Sequence, residues 1–404
     1  MSERRLLLPL KSIRASPGAS FASSFLTLSS SILGAGLLAL PHTLVVAQPT
    51  PALVALGATG LLSLASLHSL TVVAHATQAY SYEAITRRLC SPHHGQLIRA
   101  ITLLPLVGTV VIYLLVATDL VAPFVGLSRP AICALLCLVP FPLCLPDVVP
   151  NFLHWSRHLI VLCALYLALS LSGHSVGGSW PSNAASSNWM DVSYVVPIQL
   201  SSFLGHVQLL RTYGTIGDGQ QALTTQRYLP LLVVVFSLGV YYAVATFGYL
   251  ATSGTPADNV LASFASDAWD VNVLRVVLAS ALLVSIPRTF FPLRDIFEDT
   301  YFAERKSVGR LVFRMVATLV FFALAGGLAV LSPGLGLTLF WFGAVVGSVV
   351  MLVLPGFFLF EVTQGPAFAL PGTTFYKILA VLLMLLGLTL SGVAIYGLVA
   401  TAIA

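Results

Sequence analysis

The chain has 404 residues, 57% of them hydrophobic and only 8% charged, with a formal net charge of +5. A soluble domain carries about 25% charged residues, so the composition excludes a soluble enzyme on a single anchor and predicts an all-α polytopic membrane protein. The basic excess does not point to nucleic acid, because the span pattern below accounts for it.

Residues 1–20 read as a short cytosolic arm, since the Leu6–Leu10 run is too short for a signal-peptide core. Residues 21–404 read as one transmembrane domain of about eleven helices, each of about 20 residues. Span 1, about Phe21–Val46, contains Ser29-Ser30-Ser31-Ile32-Leu33-Gly34-Ala35-Gly36 and then Pro41. Glycine costs about 1 kcal/mol in a helix interior and proline about 3, so this span is predicted to break at Gly34–Gly36. Lipid cannot satisfy freed N–H and C=O groups, so the break must face protein or a wet cavity.

Pro49 and Pro51 predict a tight outer turn before span 2, about Ala52–Ala76. An inner loop, Gln78–Gln96, carries Glu83, Arg87, Arg88 and a predicted turn at Pro92–Gly95. Span 3 is about Ile98–Phe124, with Asp119 near its outer end, and span 4 is about Ala131–Leu145. Pro140, Pro142 and Pro146 are predicted to kink or end span 4. Span 5 is about Phe152–Ser172, followed by a Gly/Ser/Asn-rich outer loop with Trp180 and Trp189. Span 6, about Val192–Leu210, is also interrupted, at Ser201-Ser202-Phe203-Leu204-Gly205-His206. Spans 7 to 11 follow at about Leu229–Ala251, Val271–Leu293, Leu311–Leu331, Leu335–Phe360 and Phe375–Ala400.

With the N-terminus inside, every Lys and Arg except Arg129 and Arg275 falls on the inner side. This asymmetry predicts a cytoplasmic N-terminus and leaves no role for nucleic acid. No cysteine falls in an outer loop, so no structural disulfide is expected. His93, His94 and Cys90 lack a fourth ligand at metal spacing, and Gly326-Gly327 has no P-loop lysine, so neither a metal site nor an enzyme is predicted. Interrupted spans 1 and 6 lie five helices apart, and an odd count inverts the second unit. Paired interruptions in inverted halves are a sequence-level pointer to a transporter site.

Four segments carry a resemblance. Ser31–Pro41 of span 1, Ser202–His206 continuing to Tyr213 in span 6, Ala245–Leu250 in span 7, and Ile286-Pro287 with Phe291-Pro292-Leu293-Arg294 in span 8 occur in one order and spacing. Together they resemble the amino acid/auxin permease family, which includes the sodium-coupled neutral amino acid transporters. The resemblance implies a LeuT-type fold: a first repeat at 21–172, an inverted second repeat at 192–360 and an extra helix at 375–400. It implies alternating-access transport of amino acids, with small neutral ones expected, driven by H⁺ or Na⁺ and needing no cofactor. A monomer in the plasma membrane or a vacuolar/lysosomal membrane, touching only solute and lipid, is expected.

On that footing the candidate substrate contacts are Ser31, Gly34, Ala35 and Gly36 in span 1 and Phe203, Gly205 and His206 in span 6. The candidate cation contacts are Ser30, Ile32 and Ser285. Ser30 stands where sodium-coupled members carry Asn, which favours H⁺. His206 is either a protonatable group or a polar tie to a neighbouring helix. Asp119 is an outer-mouth residue and gate candidate, or a proton or cation site. Arg288 stands where the family is apolar; it either snorkels or forms an inner gate with a carboxylate such as Asp218 or Asp295. The rival classes are an amino-acid sensor of the same fold that binds without transport, and a channel, which would need a continuous polar pore.

Overall fold

A computed structural model describes residues 20–90, 92–146, 155–180, 189–216, 220–265, 267–301, 308–365 and 372–403, and every regular element among them is helical. The first predicted span is α1 (Phe21–Ile32), a 3₁₀ segment (Ala35–Ala39) and α2 (Leu40–Val46), bent by 44°. Ser20 starts α1 as its N-cap, its Oγ accepting from Ser23 N at 3.2 Å. Next come α3 (Pro49–Thr77), α4 (Tyr82–Leu89) and α5 (Pro92–Val121). Then follow α6 (Arg129–Cys137), α7 (Pro140–Leu143) and α8 (Trp155–His174). The second interrupted segment is α9 (Trp189–Ser202) and α10 (His206–Ile216), with α11 (Gln220–Ala251) and α12 (Trp269–Tyr301) after it. The chain ends in α13 (Val308–Leu331), α14 (Leu335–Trp341), a π-helical stretch (Phe342–Val353), α15 (Leu354–Gln364) and α16 (Thr373–Ile403).

Among the described residues, eight helices are long and apolar enough to cross a membrane, or nine if the bent α1–α2 pair is one span. Of the predicted spans, the fourth falls short because α6 and α7 together, Arg129–Leu143, are too short to cross, with Pro140 and Pro142 near their end. The sixth falls short because it is cut in two.

Several loop expectations are corrected. The turn expected at Pro92–Gly95 is the first turn of α5, where Pro is tolerated because its missing N–H would have no partner. Pro49 and Pro51 open α3 for the same reason, and the chain reverses one residue earlier, at Gln48 with φ 64°. The inner loop contains α4, capped by Ser81, whose Oγ accepts from Ala84 N at 3.1 Å. Span 8, expected to end near Leu293, is longer: α12 runs on to Tyr301 through Pro287 and Pro292.

In the layering, α12 is central, with 61% of its apolar window buried, and α16 is peripheral, with 17%. The outward faces of α13 and α16 are aliphatic, including Leu319, Leu328, Leu382 and Leu388, as lipid contact requires. The core gathers on the first broken span, where Ile32 to Leu40 are all buried.

The π-helical stretch touches α9 backbone to backbone. A Cβ on Gly343 would stand 1.8 Å from the Pro197 carbonyl oxygen, so only glycine fits. π-Geometry loosens carbonyls from the helical ladder, and here hydroxyls from three other helices reach them. Tyr82 donates to Val350 O at 2.9 Å, Ser391 to Ala344 O at 2.8 Å, and Ser66 to Met351 O. Within the stretch, Ser348 donates to Gly343 O at 3.1 Å.

Candidate functional site

The first break is built from its own sequence. After Ile32 the α ladder ends: Leu33 N still reaches Ser29 O at 2.7 Å, but Gly34 N turns back to Ile32 O at 2.7 Å. Helix resumes as the tighter 3₁₀ form at Ala35 and becomes α-helical at Leu40, just before Pro41. The second break spans Phe203–Gly205, between the end of α9 and the start of α10.

The two breaks meet. A Cβ on Gly36 would lie 2.6 Å from Ser202 Oγ and 3.1 Å from Ser202 Cα. A Cβ on Gly205 would lie 2.8 Å from Ile32 Cγ1. Both glycines therefore serve close approach of one broken segment to the other. Gly34, Ala35, Gly36, Phe203, Gly205 and His206 are all buried, and Ser31 is half-buried at the rim.

Sequence reasoning missed two tyrosines here. Tyr241 of α11 is fully buried, and its hydroxyl lies 2.5 Å from Ile32 O and 2.6 Å from Ser202 O. Those carbonyls end α1 and α9, so two helix C-termini, each partially negative, converge on one O–H. Its ring packs edge-on against Phe203 with centroids 5.0 Å apart. Tyr113 of α5 places its hydroxyl 3.5 Å from where a Cβ on Gly34 would stand. The available signal was weak: a Tyr241-Tyr242 pair in an aliphatic run, and one tyrosine in span 3.

His206 is fully buried at the start of α10. Its Nε2 lies 3.0 Å from Ser66 Oγ, and Ser66 in turn donates to Met351 O. That wiring makes Nε2 the protonated nitrogen, and Nδ1 has no hydrogen-bond partner among the described residues. The side chain thus ties the second break to α3 and, through Ser66, to the π-helical stretch.

The candidate cation contacts are placed as follows. Ser30 Oγ donates to Thr27 O at 3.0 Å and Ser285 Oγ to Ala281 O at 2.7 Å, each on its own helix. The Ile32 carbonyl is held by Tyr241. Arg288 donates to Ser285 Oγ at 3.2 Å. Of the gate partners suggested for it, Asp218 and the Asp295 side chain lie outside the described residues. Asp119 forms an ion pair with Arg129 at 3.0 Å, which ties α5 to the start of α6.

Above the breaks, the loop between α11 and α12 is fastened at three points. His42 Nδ1 lies 3.1 Å from Pro256 O, and Asp258 accepts from Gly336 N at 3.2 Å. Arg275 donates to Leu261 O at 2.6 Å and Phe264 O at 2.8 Å. A 3₁₀ turn in this loop, Val260–Ser263, packs on the Ala35–Ala39 segment and on α5.

Two interrupted helices thus meet at small residues deep in the bundle. The family described as "Transmembrane amino acid transporter protein" matches residues 17–400. Sodium-coupled neutral amino acid transporter 7 of Xenopus laevis is 24% identical over 394 residues, 88% of this chain and 85% of the relative. Sodium-coupled neutral amino acid transporter 4 of Pongo abelii is 24% identical over 199 residues, 48% of this chain and 36% of the relative. Solute carrier family 38 member 10 of Rattus norvegicus is 26% identical over 200 residues, 47% of this chain and 18% of that longer protein.

Proposed function

Because the chain belongs to the transmembrane amino acid transporter family, we propose that it moves amino acids, small neutral ones foremost, across a membrane by alternating access. The observation that carries this reading is the meeting of the two helix breaks, at Gly36 with Ser202 and at Gly205 with Ile32. A zwitterion needs a partially positive and a partially negative partner close together. The N-terminus of the 11-residue α10 offers N–H groups for a carboxylate. The carbonyls at the end of α1 are offered to the ammonium group, Gly34, Ala35 and Gly36 line the gap with bare backbone, and Phe203 supplies an apolar wall.

The finer architecture is part of the same proposal. Spans 4 and 6 complete eleven, arranged as two inverted repeats at 21–172 and 192–360 with the last helix outside them. The N-terminus is cytoplasmic, as the basic residues favour, and the chain works as a monomer in the plasma membrane or a vacuolar/lysosomal membrane. A gradient of H⁺ or Na⁺ drives the cycle. The names of two relatives, which describe sodium-coupled neutral amino acid transport, support the substrate class.

The test is uptake and counterflow of labelled amino acids in liposomes containing the full chain, with H⁺ and Na⁺ gradients imposed in turn. Exchange without net current supports a carrier. Saturable binding without exchange replaces the reading with a sensor, and ohmic conductance replaces it with a channel.

A further inference from the structure

A polar cluster lies on the α1 side of the first break, between α1, α5, α8 and α12. Arg157 of α8 donates to Thr27 Oγ1 at 2.8 Å, and Thr27 is the residue whose carbonyl holds Ser30. Arg288 of α12 donates to Ser285 Oγ. The two guanidinium groups lie within electrostatic reach of each other, and Tyr113 lies within reach of Arg288. Tyr113 in turn borders Gly34. Of the hydroxyls pointed to as cation contacts, Ser285 thus has an arginine directly on it, and Ser30 bonds the residue whose side chain another arginine grips.

Ion pairs among the described residues use Glu83, Asp119 and Asp270, and none of them reaches Arg157 or Arg288. A charge inside a membrane span is retained only where it has work to do or a partner. The partners on hand are neutral hydroxyls, Thr27 Oγ1 of α1 for Arg157 and Ser285 Oγ of α12 for Arg288. Guanidinium keeps its proton at every physiological pH, so this positive charge never leaves. A Na⁺ ion set on Ser285 would share its oxygen with a guanidinium donor and meet like charge at short range.

We propose that Arg157 and Arg288 permanently supply the positive charge that a bound Na⁺ would otherwise bring to Ser30 and Ser285, so that this chain moves its solute without Na⁺. The proposal rests on the transporter reading and decides, within it, against one of the two driving ions. It also separates this chain from relatives whose names describe sodium coupling.

The experiment uses the purified full chain in liposomes, with labelled alanine, serine and glutamine offered singly. Replacing Na⁺ by N-methylglucamine changes wild-type uptake by less than about twofold, whereas Arg288→Ser lowers sodium-free uptake by about tenfold or more and makes it respond to Na⁺. Arg288→Lys, which keeps the charge, keeps uptake sodium-indifferent. Wild-type uptake that collapses without Na⁺ overturns the proposal, and so does an Arg288→Ser variant indifferent to Na⁺. A second arm needs no transport: Na⁺, compared with K⁺, raises the melting temperature of Arg288→Ser protein and leaves that of the wild type unmoved. A Na⁺-specific rise in the wild type overturns the proposal. If no amino acid is taken up in any medium, the transporter reading fails, and the melting arm still judges the charge replacement.

Discussion

The helix breaks and the π-helical stretch both abandon α geometry inside the membrane, but they are held in opposite ways. At Phe342–Val353 the displaced carbonyls receive separate donors, Ser66, Tyr82, Ser348 and Ser391, from several directions. At the breaks, two carbonyls share the single hydroxyl of Tyr241. The contrast teaches that a distorted helix with a donor for each oxygen is scaffold. A distortion whose two helix ends share one side-chain donor is a place where chain segments can exchange partners.

The sharpest way to break this contrast is a methyl group in each region. Gly343→Ala drives a Cβ into the Pro197 carbonyl, with backbone on both sides and nothing to yield. We expect a loss of about 3 kcal/mol or more, seen as a large fall in melting temperature and folded yield. Gly36→Ala instead presses on Ser202, partly through a side-chain oxygen that can rotate. The protein should fold and melt near wild type, while amino acid uptake falls by about a hundredfold through misplacement of the two breaks.

Removing single hydroxyls sharpens it further. Tyr241→Phe leaves two buried carbonyls without their shared donor, and we expect KM for uptake to rise about tenfold with kcat little changed. Its neighbour Tyr242 donates to Leu53 O at 2.9 Å, a plain helix-to-helix tie. Tyr242→Phe should leave KM where it was, and equal effects from the two variants would remove the special role of Tyr241. The smallest effect is expected from Tyr82→Phe, which takes one donor from the π-helical stretch. It should cost about 1 kcal/mol in thermal unfolding and leave uptake unchanged, because the other donors remain.

How much of this was legible in the sequence follows from the range of each interaction. The first break was readable because its causes are local: glycines at 34 and 36, then a proline. The second was readable from one glycine and a serine pair, and its observed position, Phe203–Gly205, falls inside the predicted window. What composition and periodicity could not show is who faces whom. Tyr241 is separated from Ile32 by 209 positions and Arg157 from Thr27 by 130, and nothing near any of them marks the partner. The π-helical stretch was invisible for a different reason. Its residues suit an ordinary apolar helix, and the donors that reach its carbonyls come from α3, α4 and α16, far away in the chain. The helical opening of α5 was missed because Pro-His-His-Gly satisfies turn chemistry and first-turn chemistry alike.

The loop between α11 and α12 has one more consequence. Through His42 it grips the upper limb of the first span, through Gly336 the rod beginning at Leu335, and through Arg275 the eighth span. Tilting that limb outward cannot be a private motion. It must either snap the stitch at Pro256 or drag the roof, and the roof would tug both other rods. Any tilt of that limb is therefore coupled to the rod at Leu335 and to the eighth span, and a crosslink from the loop to any of the three would oppose it.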